Sequence, residues 1–125
     1  MSRSRIEPRR GDVLLVRLDP VEGSEQAGVR PAVVVSNDLA NRSLSVFTVA
    51  PLTTKGKPYP AWARIEAGDG GLKATSYAMA TQLRTLAQTR IAGRQGRLSK
   101  DAMERVESAI RLHLDLDVRP EAAGE

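Results

Sequence analysis

Apolar positions in this chain come in short runs separated by glycine, proline and polar clusters, and most of the runs have the character of strands. Asp12 to Leu18 (DVLLVRL) follows the turn-prone Gly11 and ends at Asp19-Pro20, which predicts a first strand. Gly23 to Arg30 is a glycine-flexible polar loop, and Ala32 to Ser36, with three consecutive valines after Pro31, reads as the second strand. Asn37-Asp38 breaks it, and Leu39 to Ser43 fits a single helical turn or a loop. Leu44 to Ala50 (LSVFTVA) alternates apolar and hydroxyl residues as a half-buried strand does, with Pro51 closing it or marking a bulge. Thr53 to Pro60 (TTKGKPYP) is a loop, and Ala61 to Glu66 is a fourth strand with Trp62 out of phase with Ala61 and Ala63. Asp69-Gly70 signals a hairpin turn, Ser76 to Leu83 a fifth strand, and Ile91 to Leu98 is cut into short pieces by Gly93 and Gly96. Only the end has a helical period. Ser99 is placed to cap it, Asp101 and Glu104 suit its positive end, and Met103, Val106, Ile110 and Leu114 share one face up to about Leu116.

Five or six short strands with long loops, closed by one amphipathic helix, predict a mainly β domain with a C-terminal α-helix, a small SH3-like β-barrel. At 125 residues one domain is expected, here residues 10–117, between a basic flexible arm (1–9) and a disordered tail (118–125). With one tryptophan, two tyrosines and one phenylalanine, Val, Leu and Ile must carry the core. No apolar segment approaches the roughly 18 residues of a membrane helix, and the four arginines of the first ten residues come without an apolar run. No membrane association and a cytoplasmic location are the expectations.

Composition narrows the chemistry. Cysteine is absent, which removes disulfides, thiolate metal sites and a cysteine nucleophile. Lysine plus arginine number 19 against 15 acids, and from Gly70 to Lys100 six basic residues (Lys73, Arg84, Arg90, Arg94, Arg97, Lys100) meet no acid at all. Such a stretch favours a positive face for phosphodiesters or an acidic partner. The single histidine, His113, lies on the helix, so neither a histidine acid–base pair nor a histidine metal cluster is available. Asp115 and Asp117 at the helix end make a poor magnesium site, and no phosphate-binding glycine loop precedes the helix. No metal and no cofactor are expected. Hydroxyls, arginines and loop carboxylates remain. Arg30, held extended by the proline that follows it, can set positive charge and paired hydrogen bonds against a phosphorane. Thr53 can donate a neutral hydrogen bond, and Glu25 can accept a proton or orient Arg30.

These residues sit in stretches that resemble the MazF/PemK family of toxin endoribonucleases from bacterial toxin–antitoxin pairs. The matching pieces are RRGDVLLVRLDP (Arg9–Pro20), GSEQAGVRPAVVVSND (Gly23–Asp38), NR (Asn41–Arg42), APLTTK (Ala50–Lys55), QLRTL (Gln82–Leu86) and GRLS (Gly96–Ser99), in order over about nine tenths of the chain. The resemblance implies an SH3-like barrel of the MazF/PemK/CcdB type, a homodimer, and metal-independent, sequence-specific cleavage of single-stranded RNA to 2′,3′-cyclic phosphate and 5′-hydroxyl ends. It assigns catalysis to Arg30, Thr53 and Glu25. RNA contacts are expected from Ser24, Gln26 and Asn37, from Thr54 and Lys57, and from Gln82 and Arg84. It also implies a cognate antitoxin protein, with operator DNA reached only through the antitoxin complex. Two positions depart from the family pattern. Thr81 stands where many relatives carry an acid before the QxRT piece, and Ser24 stands where one branch has a histidine, so the Arg30 and Thr53 scheme is the one this chain can run. The rival readings are a non-enzymatic toxin of the same fold that poisons DNA gyrase, argued against by the polar Arg119 to Glu125 end, an inactive binding module, and a metal nuclease.

Overall fold

The computed structural model describes residues 6–18 and 28–116. The expected arm and tail, apart from residues 6–9, and the loop holding Ser24, Glu25 and Gln26 lie outside that range. Among the described residues the chain runs β1 (Asp12–Arg17), β2 (Val29–Val34), α1 (Asp38–Ser43), β3 (Val46–Thr53), β4 (Trp62–Ile65), β5 (Ser76–Met79), β6 (Arg84–Ala87), β7 (Ile91–Arg97) and α2 (Lys100–Leu114). The strands form one seven-stranded sheet in the order β4-β5-β3-β2-β1-β7, with β6 paired to β3 off that path. Every pairing is antiparallel. The expected barrel is therefore a loose one, rolled but not closed.

The unbroken apolar runs of the sequence have a simple cause: the central strands are covered on both faces. Val13, Val33, Ala50 and Leu52 point to one side, into a core with Ala63, Ile65 and the α2 residues Ala102, Val106 and Ala109. Their neighbours Leu14, Val16, Ala32, Val34 and Val49 point to the other, into a second core with Phe47 and Leu86. Successive strand residues face opposite ways, so a strand between two cores has no polar phase.

Several boundaries move for reasons visible in the pairing. β2 begins at Val29, three residues before the expected Ala32, because β1 pairs with it as far as Arg17 opposite Val29. β3 does not end at Pro51 but continues to Thr53. The expected fifth strand, Ser76 to Leu83, ends early: β5 stops at Met79 and a 3-10 turn takes Ala80–Gln82, while β6, beyond it and not expected, pairs with an earlier part of β3 than β5 does. Ile91–Arg97 is one strand rather than fragments, with its irregularities absorbed as register shifts against β1. Asp69-Gly70 does not make a two-residue hairpin. It belongs to a 3-10 turn whose Asp69 carboxylate accepts from Ser99 N–H (2.8 Å) and Ser99 Oγ (2.7 Å). Ser99 in turn caps α2 by accepting from Ala102 N–H at 3.1 Å, as expected. Ala102, Val106 and Ala109 are buried on α2, and Met103 and Ile110 of the expected Met103, Val106, Ile110, Leu114 stripe pack half-buried against the same core, so the stripe holds except at its end. Leu114 is exposed.

Polar pins hold the start of the chain. Asp12 is buried, and its carboxylate accepts from Arg9 N–H (3.0 Å) and pairs with Arg94 (3.0 Å) and Arg97 (3.4 Å) of β7. Arg10 bonds the Val35 carbonyl and Glu107 of α2. Arg10 N–H and the Asn41 amide both donate to Asp38, which holds its carboxyl below the usual carboxylate range against a small opposing effect of burial. That stabilisation is complete above the ordinary carboxylate pKa and is lost as pH falls through the lowered native value.

Gly96 and Gly93, both on β7, separate a packing requirement from a simple strand position. A Cβ on Gly96 would stand 2.4 Å from the Gly70 carbonyl oxygen, whereas one on Gly93 would meet Leu15 Cδ1 at 3.7 Å. Gly96→Ala is expected to lower stability by about 1–3 kcal/mol, and Gly93→Ala to stay within about 0.5 kcal/mol of the parent, as read from urea unfolding.

Candidate active site

The β2–β3 ladder ends where proline forces it to. Val35 N–H donates to Thr48 O at 2.9 Å, and the register pairs Ala32 with Pro51, Val33 with Ala50 and Val34 with Val49. Hydrogen-bonded pairs alternate in an antiparallel ladder, so Val33 and Ala50 exchange bonds and the next bonded pair would be Pro31 with Leu52. Pro31 has no N–H to give, and the pairing stops at Ala32 and Pro51. Pro51 points its own nitrogen to the opposite edge of β3, at the gap where β6 gives way to β5. Continued past its last pair, the same register would set Arg30 against Thr53.

The two residues do meet there. Arg30, Pro31, Leu52, Thr53, Thr54, Lys55 and Ser76 line a cleft of about 170 Å³. Arg30 is exposed on β2, fixed from behind by its pairing with Val16 of β1. Thr53 is half-buried at the end of β3, and its Oγ1 accepts from Lys55 N–H at 3.1 Å while lying 3.4 Å from the Lys55 carbonyl. Among the described residues the lining carries two cations, Arg30 and Lys55, and no carboxylate. A cleft with that balance suits an anion.

The other expected site residues divide. Thr54 lines the cleft. Asn37 is engaged as the N-cap of α1, accepting from Ala40 N–H at 2.8 Å, and does not line it. Lys57 is exposed on the 54–61 loop, Gln82 is exposed in the 3-10 turn, and Arg84 sits on β6 opposite Val49; none of the three lines the cleft. Lys55 and Ser76 are members that sequence reasoning missed. Lys55 carries a local signal, two positions after a threonine that can accept its N–H. Ser76 carries none, since it arrives through the β3–β5 pairing. Among the described residues no group of three or more histidine, aspartate or glutamate side chains could hold a metal ion. None of their helices is long and apolar enough to cross a membrane.

Beside the cleft, Trp62 organises the loop from 54 to 61. Its indole N–H donates to Thr81 Oγ1 at 2.9 Å, and Tyr59 meets it edge-on with ring centroids 5.9 Å apart. Thr81 thus serves as the acceptor for Trp62.

Comparison with known proteins identifies the family and the fold. Residues 9–114 match the family described as PemK-like, MazF-like toxin of type II toxin–antitoxin system, and the chain belongs to that family. It is 41% identical to endoribonuclease MazF9 of Mycobacterium tuberculosis over 114 residues, covering 86% of this chain and 97% of that protein. Endoribonuclease EndoA of Bacillus subtilis is 36% identical over 111 residues, covering 86% and 95%. Among solved structures, MazF from Deinococcus radiodurans superposes with a TM-score of 0.73 at 25% identity, covering 89% of this chain and 99% of that one. A mycobacterial endoribonuclease solved in complex with its cognate antitoxin has the same fold, with a TM-score of 0.75 at 23% identity, over 90% and 99% of the two chains.

Gly56 tests how tightly the loop is held. Its φ is +117°, and a Cβ there would lie 2.8 Å from Trp62 Cζ3. Gly56→Ala is expected to push the loop off the indole and shift the emission of this single tryptophan to the red, with the unfolding midpoint little changed.

Proposed function

We propose that this chain, an endoribonuclease of the MazF/PemK toxin family, cleaves single-stranded RNA at the Arg30–Thr53 cleft without a metal ion. The observation that carries the reading is the meeting of Arg30 and Thr53, from different strands, in a cleft whose described lining carries two cations and no acid. In the reaction the 2′-hydroxyl adjoining the scissile phosphate attacks phosphorus, the P–O5′ bond breaks, and the products are a 2′,3′-cyclic phosphate and a 5′-hydroxyl. One proton leaves O2′ and one reaches O5′. Arg30 and Lys55 set positive charge against the non-bridging oxygens as the phosphorane forms. Thr53 is held as a donor: Lys55 N–H occupies an oxygen lone pair, and the hydroxyl proton has only a 3.4 Å contact to leave for a substrate oxygen. Glu25, outside the described residues, accepts the O2′ proton or orients Arg30.

RNA bases are read by the two loops that flank the cleft, through Ser24, Gln26, Thr54 and Lys57, with Gln82 and Arg84 adding edge and phosphate contacts. The working form is a cytoplasmic homodimer, inhibited by an antitoxin protein that occupies the RNA surface, with operator DNA bound only through that complex.

The test is incubation of the purified, antitoxin-free chain with long single-stranded RNA in excess chelator, followed by mapping of cut sites and end groups. Selective cuts with cyclic phosphate ends are expected. Arg30→Ala and Thr53→Val should each slow cleavage by at least about a hundredfold while the fold is retained, and Lys55→Met by about tenfold. A folded Arg30→Ala protein with full activity overturns the assignment.

A further inference from the structure

Three of the chain's four aromatic residues lie off the core, on one side of the sheet that also carries arginine. Phe47 alone is buried in a core. β4 and β5 alternate strictly. Ala63, Ile65, Ser76 and Ala78 are buried, while Trp62 and Tyr77 are half-buried and Arg64 is exposed. The register joins these outward residues in a row, because Tyr77 lies opposite Thr53 of β3 on one side and opposite Arg64 of β4 on the other. Directly opposed residues share a face. The row therefore runs from the cleft at Thr53 over Tyr77 to Arg64, with Trp62 and Tyr59 beside it. Adjacent strands lie about 4.8 Å apart, so Arg64 stands about 10 Å from Thr53.

We propose that this row is a track for the nucleotides next to the cleaved one, with an unstacked base on the Tyr77 ring and its neighbouring phosphate held by Arg64. The proposal rests on the ribonuclease reading above. Single-stranded RNA is the occupant that fits, because aromatic faces spaced among cations match its alternation of base and phosphate. Arg64 is available for the task. Its side chain is 56% exposed, and among the described residues its carboxylate contact is to Glu66 at 3.5 Å, between two exposed groups that a phosphate can displace. Arg105 bonds the Arg64 carbonyl at 3.1 Å and so fixes the strand without engaging the guanidinium of Arg64.

Two measurements on the full chain test the track. Fluorescence anisotropy is read with a labelled, random-sequence single-stranded RNA pool carrying 2′-O-methyl groups, which cannot be cleaved. Steady-state cleavage is read on an RNA containing a mapped site. Tyr77→Ala and Arg64→Ala are each expected to weaken binding about 5- to 10-fold and to raise KM by a similar factor, with kcat within about twofold. Arg64→Ala should also lower the slope of log affinity against log salt by about 0.7, and Arg64→Lys should restore it. Variants with unchanged KM, affinity and salt slope, beside a parent that cleaves, overturn the track alone, as does a fall in kcat without a rise in KM. A parent that cleaves no RNA overturns the ribonuclease reading instead, and the anisotropy titration then judges the track by itself.

Discussion

A proline cannot donate a backbone hydrogen bond, and the site depends on that one incapacity at Pro31. Were residue 31 able to donate, the β2–β3 ladder would continue to the Leu52 pair, and Arg30 and Thr53 would become ordinary neighbours in a closed sheet. Because the donor is missing, the ladder ends at Ala32 and Pro51, and the two functional side chains stand just past its end. They inherit the register of their strands, Arg30 paired to Val16 and Thr53 to Tyr77, without being zipped to each other. Pro51 does complementary work on the other edge of β3, where its nitrogen faces the gap between two partner strands and lets β5 take over from β6. That exchange brings Ser76 to the cleft and sets Tyr77 opposite Thr53.

The rest of the molecule makes this opening rigid. β1 and β2 are packed on both faces, so the strand that presents Arg30 is clamped between two cores rather than lying on one. The start of the chain is tied to β7 and to α2 by Asp12 and Arg10, whose partners are far away in sequence. Against that frame the 54–61 loop is held by fewer contacts: the Thr53–Lys55 turn, the Tyr59–Trp62 edge contact and the approach of Gly56 to the indole.

The fold class and the terminal helix with its Ser99 cap were legible in the residues, because each rests on a local signal or on a motif that the family shares. What was not legible depended on non-local pairing. Apolar runs such as DVLLVRL cannot say whether one face or two will be covered, and Pro51 reads as a strand end when it is a partner exchange. The glycines of β7 read as breaks, yet Gly96 is small because the Gly70 carbonyl passes against it. Asp69-Gly70 carries a hairpin signal, but its carboxylate is engaged by Ser99, thirty residues on. Asn37 is exposed, and its role as the cap of α1 was not legible because a helix of six residues gives little period to announce it.

The placement of Arg30 and Thr53 at strand ends, rather than within loops, separates two kinds of evolutionary freedom. Their geometry follows from backbone pairing, which tolerates side-chain change at the loop positions beyond them. On the proposed function, drift in the flanking loops alters which sequences are recognised while the cutting geometry is inherited intact. Divergence on such a scaffold is retargeting without retooling.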